Sequence, residues 1–300
     1  MGLIIKQNEE VDEVQLRELI SLCHVENSLL NLLKSTRLIL TVSAHVNNQL
    51  VGIIIVWTSS FHPFCMYFRI LSHPFYRGWN IEHKLLSELK TLNIGTYPFQ
   101  TSIWETAIHL KTLFETNDFH EIRRTYMPNI NVQEIKKLAP FNAKKDKLNI
   151  TTLHELIKNR VLMDKLLHLV RFIYEQTHIR NPVAKMDLNE WENILLNDDV
   201  ILNGSYICLS WDSKDILAYS FLHESNKDTS LELGWCGCKN KQDKKLLQTL
   251  VLKQIDFAAE QGFQFIEGEF DTTDEYAMEL LISFPFEPSP IWITYQSTVL

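Results

Sequence analysis

Glycine is scarce in this chain, nine in 300 residues. Any site built from several glycines therefore starts at a disadvantage, because a backbone that approaches a phosphate closely usually uses them. Cysteine is also sparse. There are five, an odd number without regular spacing, which argues against a disulfide framework and for reduced thiols. Long apolar runs are missing as well: the longest, Leu50 to Trp57, is far too short to cross a bilayer. No signal-peptide form opens the chain, since Glu9, Glu10, Asp12 and Glu13 follow almost at once. Positive charge is in deficit, with 29 Lys and Arg against 37 Asp and Glu and a formal net charge of −8. A broad nucleic-acid surface needs clustered cations and is not expected, although a local basic patch stays open. These absences lead us to expect a cytoplasmic protein with no membrane and no nucleic-acid partner.

What remains is an ordinary globular composition, 45% hydrophobic and 22% charged. Such a length suggests about two domains, each able to bury a sizeable core. The chain also matches itself at an offset of 166 residues, the separation of Glu105 from Asp271. Leu50-Val51-Gly52 meets Ile216-Leu217-Ala218, and both open strand-like runs. Arg77-Gly78 meets Asp243-Lys244, each just before an amphipathic helix. Glu105 and Asp271 each follow an aromatic, Trp104 or Phe270, and Phe119 falls one residue short of Phe286. A register held this far predicts two copies of one fold.

Each copy reads in the same order. Helical spacing over 11–34 precedes β-rich runs at 38–46 and 50–57, parted by the turn Asn47-Asn48-Gln49. A strand at 64–72 leads through a turn to a helix at 81–90, a short strand at 102–105, a helix at 107–115 and a strand at 123–127. The segment 140–147 loses periodicity and gains charge, as a linker would. Beyond it come a long helical pattern at 153–175, a short one at 190–196, a hairpin of 201–211 with 216–223, and a strand at 231–238. A helix at 246–260 then ends at Gly262, a C-cap signal. A strand at 263–270, a helix at 276–283 and a strand at 290–296 complete the copy.

This order, with His73-Pro74-Phe75-Tyr76-Arg77-Gly78-Trp79-Asn80-Ile81 between a strand and a helix, resembles the Gcn5-related N-acetyltransferases (GNAT). Leu113 to Phe119 is similar to the family's closing helix. Trp235-Cys236-Gly237-Cys238 is similar to a strand of its tandem members, and Ile255 to Phe263 to the end of their long helix. The resemblance implies an α/β (α+β) chain of two tandem GNAT-like domains, each a mixed, mostly antiparallel sheet flanked by helices. They would cover 1–139 and 148–300, with 140–147 as linker. It implies an acyl-CoA-dependent N-acetyltransferase that acts on a small amine by direct transfer, with acetyl-CoA as cosubstrate.

A pyrophosphate suits converging backbone N–H groups at a helix N-terminus, where the dipole adds roughly half a positive charge. The family pattern Gln/Arg-x-x-Gly-x-Gly/Ala falls on Phe75, Gly78 and Asn80, so one of three positions is kept; Asn80 can still take left-handed geometry. Arg77, Gly78, Trp79, Asn80 and Ile81 are the implied phosphate turn, with Leu71 and Ser72 on the strand facing the pantetheine arm. In the second copy Lys244 stands at the place of Gly78, and Cys236 and Cys238 lie on the corresponding strand. Lys239, Lys241, Lys244 and Lys245 either hold phosphates by charge or are merely solvated.

The family's proton-donating tyrosine would fall on Phe114 or Leu281, and neither has a hydroxyl. Candidate bases are Glu232, which strand alternation puts on the face of Gly234 and Cys236, and the strand-end pair Glu105 and Asp271. Each could equally be a solvated carboxylate. His73 reads as structural or solvent-facing before it reads as a substrate contact. No metal site is expected, because Cys236-x-Cys238 has neither a second pair nor a nearby histidine. The alternative to an enzyme is a catalytically degenerate tandem that binds a CoA-like ligand or a protein without turnover.

Overall fold

The computed structural model describes residues 2–23, 28–92, 94, 96–138 and 148–297. The expected linker at 140–147 lies outside them. The first half contains β1 (Ile4–Gln7), α1 (Glu13–Leu22), α2 (Ser28–Leu33), β2 (Leu38–Val46), β3 (Gln49–Trp57), β4 (Met66–Ser72), α3 (Ile81–Thr91), β5 (Phe99–Trp104), α4 (Ile108–Glu115) and β6 (Phe119–Tyr126). The chain continues through β7 (Asn129–Asn131), α5 (Val132–Leu138), β8 (Asn149–Thr152), α6 (Leu153–Leu156), α7 (Arg160–Thr177), α8 (Leu188–Leu195), β9 (Tyr206–Leu209), β10 (Ile216–Glu224) and β11 (Ser230–Cys238). It ends with α9 (Lys245–Gln261), β12 (Phe265–Gly268), β13 (Phe270–Asp271), α10 (Glu275–Ser283) and β14 (Ile291–Ser297).

These elements form two compact units. The first is Met1–Ile122 with Arg180–Ala184 and Ile293–Leu300; the second is Arg123–Ile179 with Lys185–Trp292. The units therefore differ from the sequence division at 140–147, and the cause is strand exchange. In the first unit the sheet order is β1-β2-β3-β4-β5-β14-β6, so the strand beside β5 comes from the end of the chain. In the second unit it is β7-β12-β11-β10-β9-β8, so the strand beside β12 comes from the first half. In both sheets antiparallel strands lead into one parallel pair, β4 with β5 and β11 with β12.

Local chemistry explains the elements. Asn47 and Asn48 take φ of 52° and 65°, the left-handed conformation that a tight hairpin needs and asparagine tolerates. Gly262 ends α9 at φ 86°, as the sequence predicts. The pattern at 153–175 divides into α6 and α7, because Asn159 caps a new helix by accepting from the Leu162 N–H at 3.2 Å. Asp187 and Glu190 close a reciprocal capping box on α8. The strand expected over 201–211 is confined to Tyr206–Leu209.

In the first unit α1 and α2 cover one face of the sheet with Leu16, Leu19, Ile20, Leu29 and Leu30, packed against Ile53, Ile55 and Leu71. In the second unit Ile173 of α7 lies over Gly237 on one face. On the other face, Gln254 of α9 exchanges hydrogen bonds of 3.0 Å with Ser220.

Candidate functional site

The central parallel pair parts in both units. In the first, β4 and β5 are in register only at Met66 with Phe99 and Tyr67 with Gln100. Two residues beyond, the Arg69 guanidinium donates to the Ser102 carbonyl at 2.5 Å, so a side chain bridges the gap that the backbone ladder has left. At the end of β4 the Ser72 hydroxyl donates to Glu82 at 2.5 Å, and the Ser72 carbonyl accepts from the Cys23 thiol at 3.3 Å. Leu71 is buried in the core with α1.

The turn from β4 to α3 is a 3-10 segment, Pro74–Trp79, capped by His73, whose Nδ1 accepts from the Phe75 N–H at 3.3 Å. His73 is thus a structural cap. Asn80 does adopt left-handed geometry, φ 51°. Arg77 and Gly78 are exposed, Trp79 packs edge-on to Tyr76, and Ile81 is buried. A Cβ at Gly78 would have nothing within 4 Å. Glu82 occupies the first turn of α3, within 3.7 Å of His109. A carboxylate already stands where the helix dipole would favour an anion.

In the second unit β11 and β12 pair from Ser230 with Phe265 to Leu233 with Gly268, and no further. Beyond that point β11 bulges. Ser220 of β10 faces Cys236 and Leu222 faces Leu233, so Phe221 stands opposite both Gly234 and Trp235. The extra residue re-aims the strand. It also corrects the alternation expected from sequence. Glu232, opposite His223, and Gly234, beneath the His223 ring, share one face. Cys236, opposite Ser220, lies on the α9 face instead. Among the described residues nothing hydrogen-bonds to the backbone of Gly234 to Gly237 on the β12 side.

The carboxylates at the parting are not equivalent. Burial raises the Glu232 carboxyl above its ordinary value, and the charges of Glu269, Glu267 and Asp199 add to the effect. Glu232 has no hydrogen-bond or ion-pair partner among the described residues. Glu267 is paired with Lys227 and accepts from Ser225 at 3.2 Å. Asp271 is held by Arg123 at 3.1 Å and by the Thr125 hydroxyl, which makes it a structural ion pair. Glu105 sits in the first unit, just past the end of β5.

Cys236 and Cys238 are both buried. Burial pushes the Cys236 thiol well up and the Cys238 thiol to about 12, so neither supplies a thiolate. The lysines of the second turn are mostly engaged: Lys239 by Asp215, Lys241 and Lys244 by Glu275, the last at 2.9 Å. Lys245, the first residue of α9, has no ion-pair partner among the described residues.

Two residues escape sequence reasoning. Tyr276 lies on α10, its hydroxyl donating to the Cys238 carbonyl at 3.2 Å. Burial, followed by the Glu275 charge, pushes this phenol up to about 12, so it stays protonated. Counting back from Phe286 to Leu281 overlooks a tyrosine one turn nearer the start of the helix. His223 is the other, its Nδ1 3.2 Å from Asp199; only the bulge reveals that its ring covers Gly234. Among the described residues no group of three or more His, Cys, Asp or Glu could hold a metal ion, and no helix is long and apolar enough to cross a membrane.

A mixed sheet whose central parallel pair parts beside a helix N-terminus is the acetyltransferase-like class of α/β fold, and this chain carries it twice. Comparison with solved structures makes the class specific. The chain is similar to a tandem GNAT protein from the clavulanic acid biosynthesis pathway, at 12% identity over 99% of this chain and 98% of that one, TM-score 0.62. It is similar to a GCN5-related N-acetyltransferase from Sphaerobacter thermophilus, at 11% identity over 98% and 96%, TM-score 0.61. An acetyltransferase of the GNAT family from Colwellia psychrerythraea matches at 16% identity over 98% and 100%, TM-score 0.54. No protein-family model and no curated protein matches the chain. The chain thus has the tandem GNAT fold.

Proposed function

We propose that the second unit is an N-acetyltransferase that passes the acyl group of acetyl-CoA, or another acyl-CoA, directly to a small amine. One contrast carries the reading. The parted edge of β11 has no partner from Gly234 to Gly237 among the described residues, whereas Arg69 bridges the corresponding gap in the first unit and Glu82 fills the start of α3. Bound acyl-CoA supplies an activated acyl carbon and a thiol leaving group. The backbone of Gly234 to Gly237 would hold its amide arm as a strand holds a neighbour. The N–H groups that open α9, with Lys245, would face its phosphates. Tyr276, kept protonated, is the hydroxyl on the α10 side that can give a proton to a departing thiolate. Of the three carboxylates expected as base, Glu232 alone is half-buried, raised and unpartnered, and it draws an ammonium to the parting. A cytoplasmic setting, proposed with this activity, accords with five free cysteines.

The rival reading is a ligand-binding tandem without turnover; its motive is the first unit, where Phe114 sits in an aromatic core with Phe68, Phe119 and Tyr295 at the place the family gives to a tyrosine. Calorimetry with acetyl-CoA separates the readings. Binding that survives Gly78→Trp and is lost in Lys244→Glu/Lys245→Glu supports the second unit. The opposite pattern moves the site to the first, and no binding at millimolar ligand sinks the enzyme. Thiol release with a panel of amines then distinguishes a transferase from a binding module.

A further inference from the structure

His223 lies near the end of β10, directly across from Glu232 of β11. Its Nδ1 is 3.2 Å from Asp199 Oδ1. Asp199 is itself fixed against β10. Its carbonyl accepts from the Glu224 N–H at 2.8 Å, and the next residue, Val200, bridges to His223. A carboxylate held at Nδ1 orients the ring and keeps the proton on that nitrogen, which leaves the Nε2 lone pair available. Nε2 has no partner among the described residues. It is directed over Gly234: a Cβ at that position would overlap both Nε2 and Cδ2 of the ring. Gly234 is the first residue of β11 beyond the register with β12 and the start of the bulge. The ring edge therefore lies against the residue at which the strand edge opens. A surface ion pair would need none of this, because the His223 side chain is only 22% exposed and no glycine would be required beneath it.

We infer that His223, positioned by Asp199, is the group that takes the proton from the acceptor amine in the second unit. The inference rests on the proposal that this unit binds acyl-CoA. Glu232, its cross-strand neighbour, attracts the ammonium, and His223 Nε2 accepts one of its protons. The freed lone pair forms the C–N bond to the acyl carbon as the C–S bond breaks. The second amine proton goes to the departing thiolate, which leaves as the thiol, and the imidazolium returns its proton to water. Amide, thiol and one released proton balance the ammonium and thioester consumed.

Nitrogen-15 NMR of the labelled full chain reads the tautomer without any ligand: the expected result is a protonated Nδ1 and a bare Nε2, with the preference lost in Asp199→Asn. Kinetics supply the second arm. His223→Asn should lower kcat by about 100-fold or more, keep the acetyl-CoA Kd and the circular dichroism of the parent, and recover activity with added imidazole. A wild-type tautomer protonated at Nε2, or a His223→Asn enzyme within about threefold of wild type, overturns the inference and leaves the proposed transferase standing. Wild type that fails to bind acetyl-CoA sinks the transferase and this inference together. Binding without turnover on any amine sinks the inference, since no proton is then taken.

Discussion

Gly234→Ala tests the geometry of the second site through stability alone. The new methyl would overlap the His223 imidazole, which stands on Gly234 and is tied to Asp199. Gly234 is not among the positive-φ residues, so the backbone can carry alanine and the penalty is steric. Overpacking of this kind costs about 1–3 kcal/mol. The His223–Asp199 hydrogen bond adds little, because its carboxylate is half-exposed and a typical hydrogen bond contributes about 0.5–1.5 kcal/mol. For a unit of this size that penalty lowers Tm by roughly 2–12 °C. Urea and thermal denaturation of four chains give the answer: wild type, Gly234→Ala, His223→Ala and the double variant. If the ring is the obstacle, the Gly234→Ala penalty falls below about 0.5 kcal/mol once the imidazole is gone, and the cycle shows coupling. Gly78→Ala is the control. It meets nothing within 4 Å and has no positive φ, so it should be neutral or stabilising by up to about 1 kcal/mol. Equal penalties for Gly234→Ala with and without the His223 ring would refute the close approach, and with it the placement of Nε2 over the parted strand.

Arg69→Met removes the bridge to Ser102 in the first unit; a loss of about 1.5–3 kcal/mol, with the acetyl-CoA Kd unchanged, is expected, and calorimetry showing weaker binding would contradict the assignment of the site to the second unit. The contribution of three buried carboxyls to stability should fall as pH rises from about 4 toward neutrality. Glu232, Glu269 and Asp274 are all raised by burial; the folded state therefore binds protons that the unfolded state has released, and the gain, full below the unfolded values, is lost on passing the folded ones. Glu269→Gln should flatten that slope in urea titrations at pH 5 and pH 8, and an unchanged slope would show that Glu269 does not contribute. In native protein, iodoacetamide should leave Cys236 and Cys238 unmodified, given their burial and raised thiols; peptide mass spectrometry showing either alkylated first would overturn that.

Features with a local cause were legible in the sequence. The turn at Asn47-Asn48, the end of α9 at Gly262 and the left-handed Asn80 each follow from one residue's backbone preference. Non-local features were not. The exchange that puts β14 beside β5 and β7 beside β12 pairs segments far apart in sequence, and nothing in a three-residue strand such as Asn129–Asn131 names its partner. The short strands β1 and β8 give too few residues for alternation to register. The bulge at Gly234-Trp235 inserts one residue, and one residue is enough to move Cys236 to the other face. His223 and Tyr276 were invisible for the same reason: their roles depend on what lies across a strand or a helix.

The two copies keep the parting of the parallel strands and differ in what fills it. A long cation reaches across in the first, and the carbonyl that accepts it belongs to the residue opposite, Ser102. Removing a half-buried Arg69 would leave that carbonyl unpaired, so the bridge is self-reinforcing once present. The start of α3 is closed in the same manner: Glu82 satisfies the helix dipole and is held by Ser72, the residue a ligand would need. In the second copy the place of Glu82 falls on Gln248, and the opening of α9 has no acidic residue in its first turn; the nearby Glu275 lies on α10 and neutralises lysines. The partial glycine motif of the first copy is therefore a poor guide to where an anion binds. What matters is whether the chain's own side chains have already taken the groups that an anion or an amide arm would use.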